Sequence, residues 1–238
     1  ENKPGANSLI GVDQVAKSAP DGYTFGVVIA AYAANTTLYP KLPYNPGKDL
    51  VGVSLMGISP LVAAVSTNAP FKTTQELIAY AKAHPGKVSF GSSGSGSSAH
   101  LTTELLKLLT KTDMTHVPYK GAAPALTDLM GGQIRLIGVA SDKRLAVLPD
   151  VPTFAEQGIP ELMGSTWAAM IAPAGVPKEI VQRMSAEVAR IIRSPEISQR
   201  MQQTMGTFAE GSTPEECDRF IAAETAKWGK VIREAKVT

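Results

Sequence analysis

Glycine and serine alternate in the run Gly91-Ser92-Ser93-Gly94-Ser95-Gly96-Ser97-Ser98. Backbone amides and hydroxyls at that density make a concavity that receives anions. The run follows a short apolar segment, Lys87-Val88-Ser89-Phe90, and precedes residues 99–109, whose leucines have helical spacing. A strand, a turn and a helix start are therefore predicted in sequence. The first amides of a helix have no partner in its own ladder and lie at the positive end of its dipole, so the junction can seat a negatively charged group. No lysine follows Gly96, and the phosphate-cradling G-x-x-x-x-G-K-[ST] pattern fails at its charged position. Amides and hydroxyls without a cation suit a carboxylate held reversibly.

Other chemistries for this loop can be tested on the same residues. Gly94-Ser95-Gly96-Ser97-Ser98-Ala99 fits the G-x-G-x-x-[GA] dinucleotide fingerprint between a strand and a helix. The acid that would hold the ribose is missing: the corresponding stretch reads His116-Val117-Pro118-Tyr119-Lys120, and Asp113 precedes the strand. No G-x-S-x-G pentad offers a nucleophile elbow. Among the three histidines, His84, His100 and His116, His100 is placed in the first turn of the helix, touching the loop or its ligand. An enzyme using the loop as an oxyanion seat would have only that base to aim. Spacings of the C-x-x-C, H-x-x-x-H or D-x-D kind are absent, so neither a metal nor a cofactor is expected. Cys217 reads as a small helix residue rather than a reactive thiol, and Trp167 and Trp228 as aromatics of the core or between lobes.

The whole chain sets the frame for this loop. Its 238 residues suffice for one large domain or two lobes with cores of their own. A net charge of +2, without long runs of one sign, lacks the footprint of a nucleic-acid binder. No apolar stretch reaches bilayer-spanning length. Strand and helix patterns alternate, which implies an α/β sheet architecture. Strands are predicted over 24–30, 50–56, 61–66, 114–118, 134–140 and 166–172, with a short one at 207–210. Helices are predicted over 10–18, 122–130, 177–193 and 196–205. Two further helices carry capping boxes, Thr73 with Glu76 and Thr213 with Glu216, the latter reinforced by Pro214. Residues 31–33 are expected as a turn after a strand, Ser59-Pro60 as a break between strands, Gly131-Gly132 as the stop of a helix, and 142–164 as an ordered surface connection.

The segment Phe90-Gly91-Ser92-Ser93-Gly94-Ser95-Gly96-Ser97-Ser98-Ala99-His100-Leu101 resembles the signature of the tripartite tricarboxylate transporter receptors, also called the Bug family. Four further blocks agree in order and spacing. They are Glu1-Asn2-Lys3-Pro4-Gly5-Ala6 with Ala19-Pro20-Asp21-Gly22-Tyr23-Thr24; His116 to Gly121 with Gly131-Gly132-Gln133; Lys143-Arg144 through Leu148-Pro149-Asp150-Val151-Pro152-Thr153; and Ala172-Pro173-Ala174-Gly175-Val176-Pro177.

The resemblance implies a two-lobed periplasmic-binding-protein type II-like α/β fold, with residues 1–68 and 165–238 as the first lobe and 69–164 as the second. It implies a periplasmic, non-catalytic receptor that closes around a di- or tricarboxylate, an amino acid or an aromatic acid in a cleft between the lobes. The partner would be a membrane transporter or a sensor. On this reading the first lobe offers Asn7, Ser8, Ala31 and Tyr32. The second offers Ser93, Gly94, Gly96, Ser97, Ser98, His100, Tyr119, Lys120 and Gly121. Two departures from the family pattern stand out. Asn7-Ser8-Leu9 replaces a glycine-rich stretch where backbone should approach ligand closely. The family's first strand and helix also have no counterpart before Glu1, so a gap in the middle of the first-lobe sheet is expected, either because the chain is an N-terminally shortened form or with the gap filled by another chain or a reordered segment. A truncated or domain-exchanged oligomeric form, such as a homodimer, with a disabled cleft is the alternative on that ground.

Overall fold

The computed structural model describes residues 1–3, 5–130 and 134–237. The chain divides into two compact units, Glu1–Ser59 with Thr166–Lys230, and Pro60–Ser165 with Val231–Thr238. The first unit opens with a single 3-10 turn, Ala6–Ser8, then helix α1 (Leu9–Ala16), strand β1 (Gly26–Ile29), α2 (Ala31–Leu38) and β2 (Leu50–Pro60). The second unit holds β3 (Val62–Ser66), α3 (Thr74–Ala83), β4 (Val88–Ser92), α4 (Ser98–Thr110), β5 (Met114–Pro118), α5 (Ala122–Leu129) and β6 (Ile134–Val139). Strand β7 (Ser165–Pro173) returns the chain to the first unit, which is completed by α6 (Lys178–Ile192), α7 (Pro195–Met205), β8 (Phe208–Ala209) and most of α8 (Pro214–Ala235).

Strands β1, β7, β2 and β8 form one sheet in that order, with β1 antiparallel to β7 and β2 antiparallel to β8. The gap expected in the middle of this sheet is absent among the described residues. The order is continuous from β1 to β8, so the unpaired backbone rows of this sheet lie at its two edge strands. One of them is β1, whose two faces differ: Val28 is buried while Val27 and Ile29 are 60% and 47% exposed. Residues 31–33 are not a turn but the start of α2. Ala30 already has helical backbone angles, and residues Ala31 to Asn35 are buried; packing of Tyr32 and Ala33 into the first-unit core outweighs the missing cap. Ser59-Pro60 marks the break between strands as expected: β2 runs on to end at Pro60, whose missing amide interrupts no interior ladder, and β3 begins at Val62.

Leu9, Val12, Val28, Leu55, Trp167 and Ile171 form the core of the first unit. Helix α8 is fixed at its start by the predicted box: the Glu216 amide donates to Thr213 Oγ1 at 3.3 Å and the Thr213 amide to Glu216 Oε2 at 2.9 Å. Two turns on, Glu224 Oε2 accepts from both buried indoles, Trp167 Nε1 at 3.0 Å and Trp228 Nε1 at 2.8 Å.

The second unit contains two separate strand pairs. Strands β3 and β6 run antiparallel with an irregularity between Ala63 and Ala64, and β4 and β5 run parallel. Both pairs bury side chains in one core that includes Phe71, Val88, Leu106, Met114 and Ile137. The stretch 142–164 is more than a surface connection, since it sends Phe154, Ile159 and Leu162 into that core. A cavity of about 560 Å³ lies among Ala63, Val65, Phe90, Leu106, Ile137 and Phe154. Gly131-Gly132, expected to stop α5, and Gln133 lie outside the described residues.

Candidate functional site: the glycine–serine loop of the second unit

The loop joins the end of β4 at Ser92 to the start of α4 at Ser98, with Ser97 as N-cap accepting the His100 amide. Gly94 and Gly96 take φ values of 131° and 75°, a region that residues with a Cβ rarely enter. The alternation of glycine with serine thus bends the chain twice and leaves hydroxyls between the bends. Ser92 Oγ braces the first bend, accepting the Gly94 amide at 3.1 Å and donating to the Gly94 carbonyl at 3.0 Å. The Ser97 amide donates to the same carbonyl at 3.2 Å. Ser93 and Ser95 are exposed, and Ser97 and Ser98 are half-buried. As the first two amides of α4, those of Ser98 and Ala99 lie outside its ladder.

Behind the loop the imidazoles of His100 and His116 stack, with centroids 3.6 Å apart and 12° between planes. Helix α4 contributes the first and β5 the second, and His116 is in register with Phe90 of β4. His100 is buried. Its Nδ1 accepts the Gly96 amide at 3.0 Å, so in the neutral ring the proton sits on Nε2, which faces Glu104 Oε1 at 3.8 Å. Lys107 Nζ holds that carboxylate at 2.8 Å. His116 Nε2 lies 2.7 Å from Ser92 Oγ. With the Ser92 proton directed to Gly94, the hydrogen-bond network assigns a proton to His116 Nε2. Burial, then His116 and Lys107, push the His100 pKa down to about 4. Burial also lowers that of His116, opposed by Glu104. Both rings are uncharged at neutral pH, and the loop itself carries no cation.

The turn after β5 lies beside this loop. The Tyr119 amide donates to the Ser92 carbonyl at 3.0 Å, and its hydroxyl donates to Asp128 Oδ2 at 2.8 Å, a bond that raises the phenol pKa. Lys120 is exposed, and Gly121, with φ 119°, precedes α5. The second unit therefore brings Ser93, Gly94, Gly96, Ser97, Ser98, His100 and Tyr119 into one neighbourhood. Sequence reasoning placed the loop and the helix start after it, but not Ser97 as the cap, and it missed Ser92 and His116, which brace the loop. The parallel pairing of β4 with β5 brings those two together across 24 residues.

In the first unit the side chains of Asn7 and Tyr32 are already engaged. Asn7 and Ser8 have φ values of 54° and 73°, taking the left-handed backbone that glycine adopts freely. Asn7 Nδ2 donates to Asn35 Oδ1 at 2.7 Å, and Asn35 Nδ2 donates to the Asn7 carbonyl at 2.9 Å. Ala31 and Tyr32 are buried, and Tyr32 stacks on Tyr44 with centroids 6.3 Å apart. Burial, reinforced by Tyr44, pushes the Tyr32 phenol pKa far up.

Among the described residues no three His, Cys, Asp or Glu side chains gather as metal ligands. Among the described residues, too, no helix is long and apolar enough to cross a membrane. Comparison with known proteins gives a consistent result. The description "Tripartite tricarboxylate transporter family receptor" matches residues 1–135 and 130–237. Protein BugT of Bordetella pertussis is 35% identical over 255 residues, spanning 98% of this chain and 78% of BugT. Among solved structures, Rpa4515 of R. palustris with adipate superposes with a TM-score of 0.90 at 32% identity, covering 100% of this chain and 86% of that one. MatC of Rhodopseudomonas palustris with bound malate gives 0.82 at 29% identity, covering 98% and 86%. The mixed α/β fold is that of periplasmic binding proteins, and the chain belongs to the tripartite tricarboxylate transporter receptor family.

Proposed function

We propose that this chain reversibly binds a small dicarboxylate or a related organic acid, without chemical conversion, and presents it to a membrane transporter from the periplasm. The observation that carries the reading is the loop from Ser93 to Ser98. It offers hydroxyls and helix-start amides in a conformation fixed by Gly94 and Gly96, with no charged side chain and no exposed base. A nucleophile or general base aimed at a bound carboxylate would be needed for turnover, and the nearest imidazole nitrogen, His100 Nδ1, is occupied by the Gly96 amide. Relatives with adipate and with malate support the carboxylate class. Tyr119, Lys120 and Gly121 are proposed as further contacts in the second unit, and Asn7, Ser8, Ala31 and Tyr32 as those of the first, the latter through backbone groups more than side chains. Isothermal titration with adipate, malate, citrate, amino acids and benzoate tests the reading. Saturable binding of at least one acid, lost in Ser97→Asp while the variant melts as the parent does, is expected. Heat-silent titrations with every acid, confirmed by unchanged melting temperatures, would overturn it.

A further inference from the structure

The stacked histidines lie behind the loop rather than at its face, and their bonds reach the two points where its backbone turns. His100 Nδ1 holds the amide of Gly96, and His116 holds Ser92, whose hydroxyl in turn holds the amide and carbonyl of Gly94. We propose that His100 is the positioning residue of the loop: as a neutral ring it fixes the Gly96 bend that aims the helix-start amides, and its protonation releases the bend and any ligand. The inference rests on the carboxylate reading of the same loop.

The chemistry of the contact is directional. A neutral imidazole accepts at Nδ1, whereas an imidazolium donates at both nitrogens, so a protonated His100 would point an N–H at the N–H of Gly96. One of the two groups must then move, and Gly96 is the one on a loop. The charged and titratable groups facing His100 are His116 from β5 and Glu104 and Lys107 from α4 itself; Phe90 of β4 adds an apolar ring 6.1 Å away. Glu104 favours the charged ring, but it is held by Lys107 at 2.8 Å. Burial and the second imidazole oppose the charge and keep the ring neutral down to about pH 4.

His100→Asn supplies a side-chain carbonyl that accepts the Gly96 amide and does not titrate, and His100→Ala removes the acceptor. Affinity for adipate and malate is measured by calorimetry from pH 7.5 to pH 4 on the parent and both variants. These acids titrate in the same range, so His100→Asn under identical conditions is the reference. The parent is expected to lose affinity relative to His100→Asn only as pH approaches 4, by about twofold there, where half of its rings are protonated, and His100→Ala to bind weakly at every pH. Superimposable profiles for parent and His100→Asn would overturn the proposal. A second arm needs no ligand: in ¹⁵N-labelled protein the Gly96 amide shift should follow the His100 ring titration with the same midpoint. A Gly96 amide indifferent to that titration would overturn the proposal as well. Failure of both acids to bind while Gly96 follows His100 would instead strike the carboxylate reading and leave the positioning role standing.

Discussion

Glu224 holds the two tryptophans of the chain with one carboxylate oxygen, and this can be turned into a quantitative test. Both indoles are buried and both N–H groups end on Oε2, at 3.0 and 2.8 Å, while the Glu224 side chain is only 12% exposed. Glu224→Leu leaves two buried donors without an acceptor, at about 1–3 kcal/mol each. Relief from burying a carboxylate offsets part of that, so a net loss of about 3 kcal/mol is expected. Glu224→Gln keeps a carbonyl with two lone pairs that can still accept from both indoles, and loses only the charge assistance, about 1 kcal/mol. Urea unfolding followed by tryptophan emission reads the effect at its source, since these are the only two tryptophans. Both variants within about 0.5 kcal/mol of the parent would show that the shared carboxylate does not anchor the first unit.

Three further outcomes can be checked on the same material. Ser8 takes the left-handed backbone without a side-chain cap bond, so Ser8→Gly should raise stability by about 1 kcal/mol in urea. Asn7→Gly should not gain in the same way, because it also forfeits the Asn35 pairing. The thiol of Cys217 is fully buried and its pKa is pushed up to about 12 by burial and then by Asp218. Ellman's reagent should therefore leave it unmodified in the native chain and label it on unfolding; rapid native labelling would contradict its burial. The third concerns acid. The His100 pKa falls from 6.5 to about 4 on folding, so the unfolded chain binds the proton first. Its contribution is complete above pH 6.5 and is lost as pH falls toward 4, at most about 3 kcal/mol. Urea midpoints of the parent and of His100→Asn should converge across that window, and parallel curves would refute the assignment.

Local signals were the legible ones. Thr73 and Thr213 announced their helices by cap chemistry, and each threonine oxygen accepts the amide that its box requires. The strand over 114–118 and the loop after Phe90 were equally readable, because glycine, serine and alternation act over a few residues. What escaped depends on partners distant in the chain. Nothing in the run Ala31 to Leu38 marks a helix start, and its burial against the first-unit core decides it. The separation of β3–β6 from β4–β5 is a matter of pairing, which alternation alone leaves open. In the candidate site the helix start after the loop was visible, whereas the contact of His100 with His116 needed α4 to be packed on β5. The reciprocal amides of Asn7 and Asn35, 28 residues apart, had no signature at all.

The neutrality of the glycine–serine loop bears on kinetics and on selectivity in salt. Fields from amide dipoles and hydroxyls fade over shorter distances than those of ions, so the loop itself would not steer an acid toward it, and any salt-sensitive capture would come from Lys120 in the turn beside it. Selection would then depend on what each ligand atom can accept. A carboxylate meets a row of donors with acceptors on both oxygens, while the matching carboxamide sets its own N–H₂ against them, and the two could be told apart at any ionic strength.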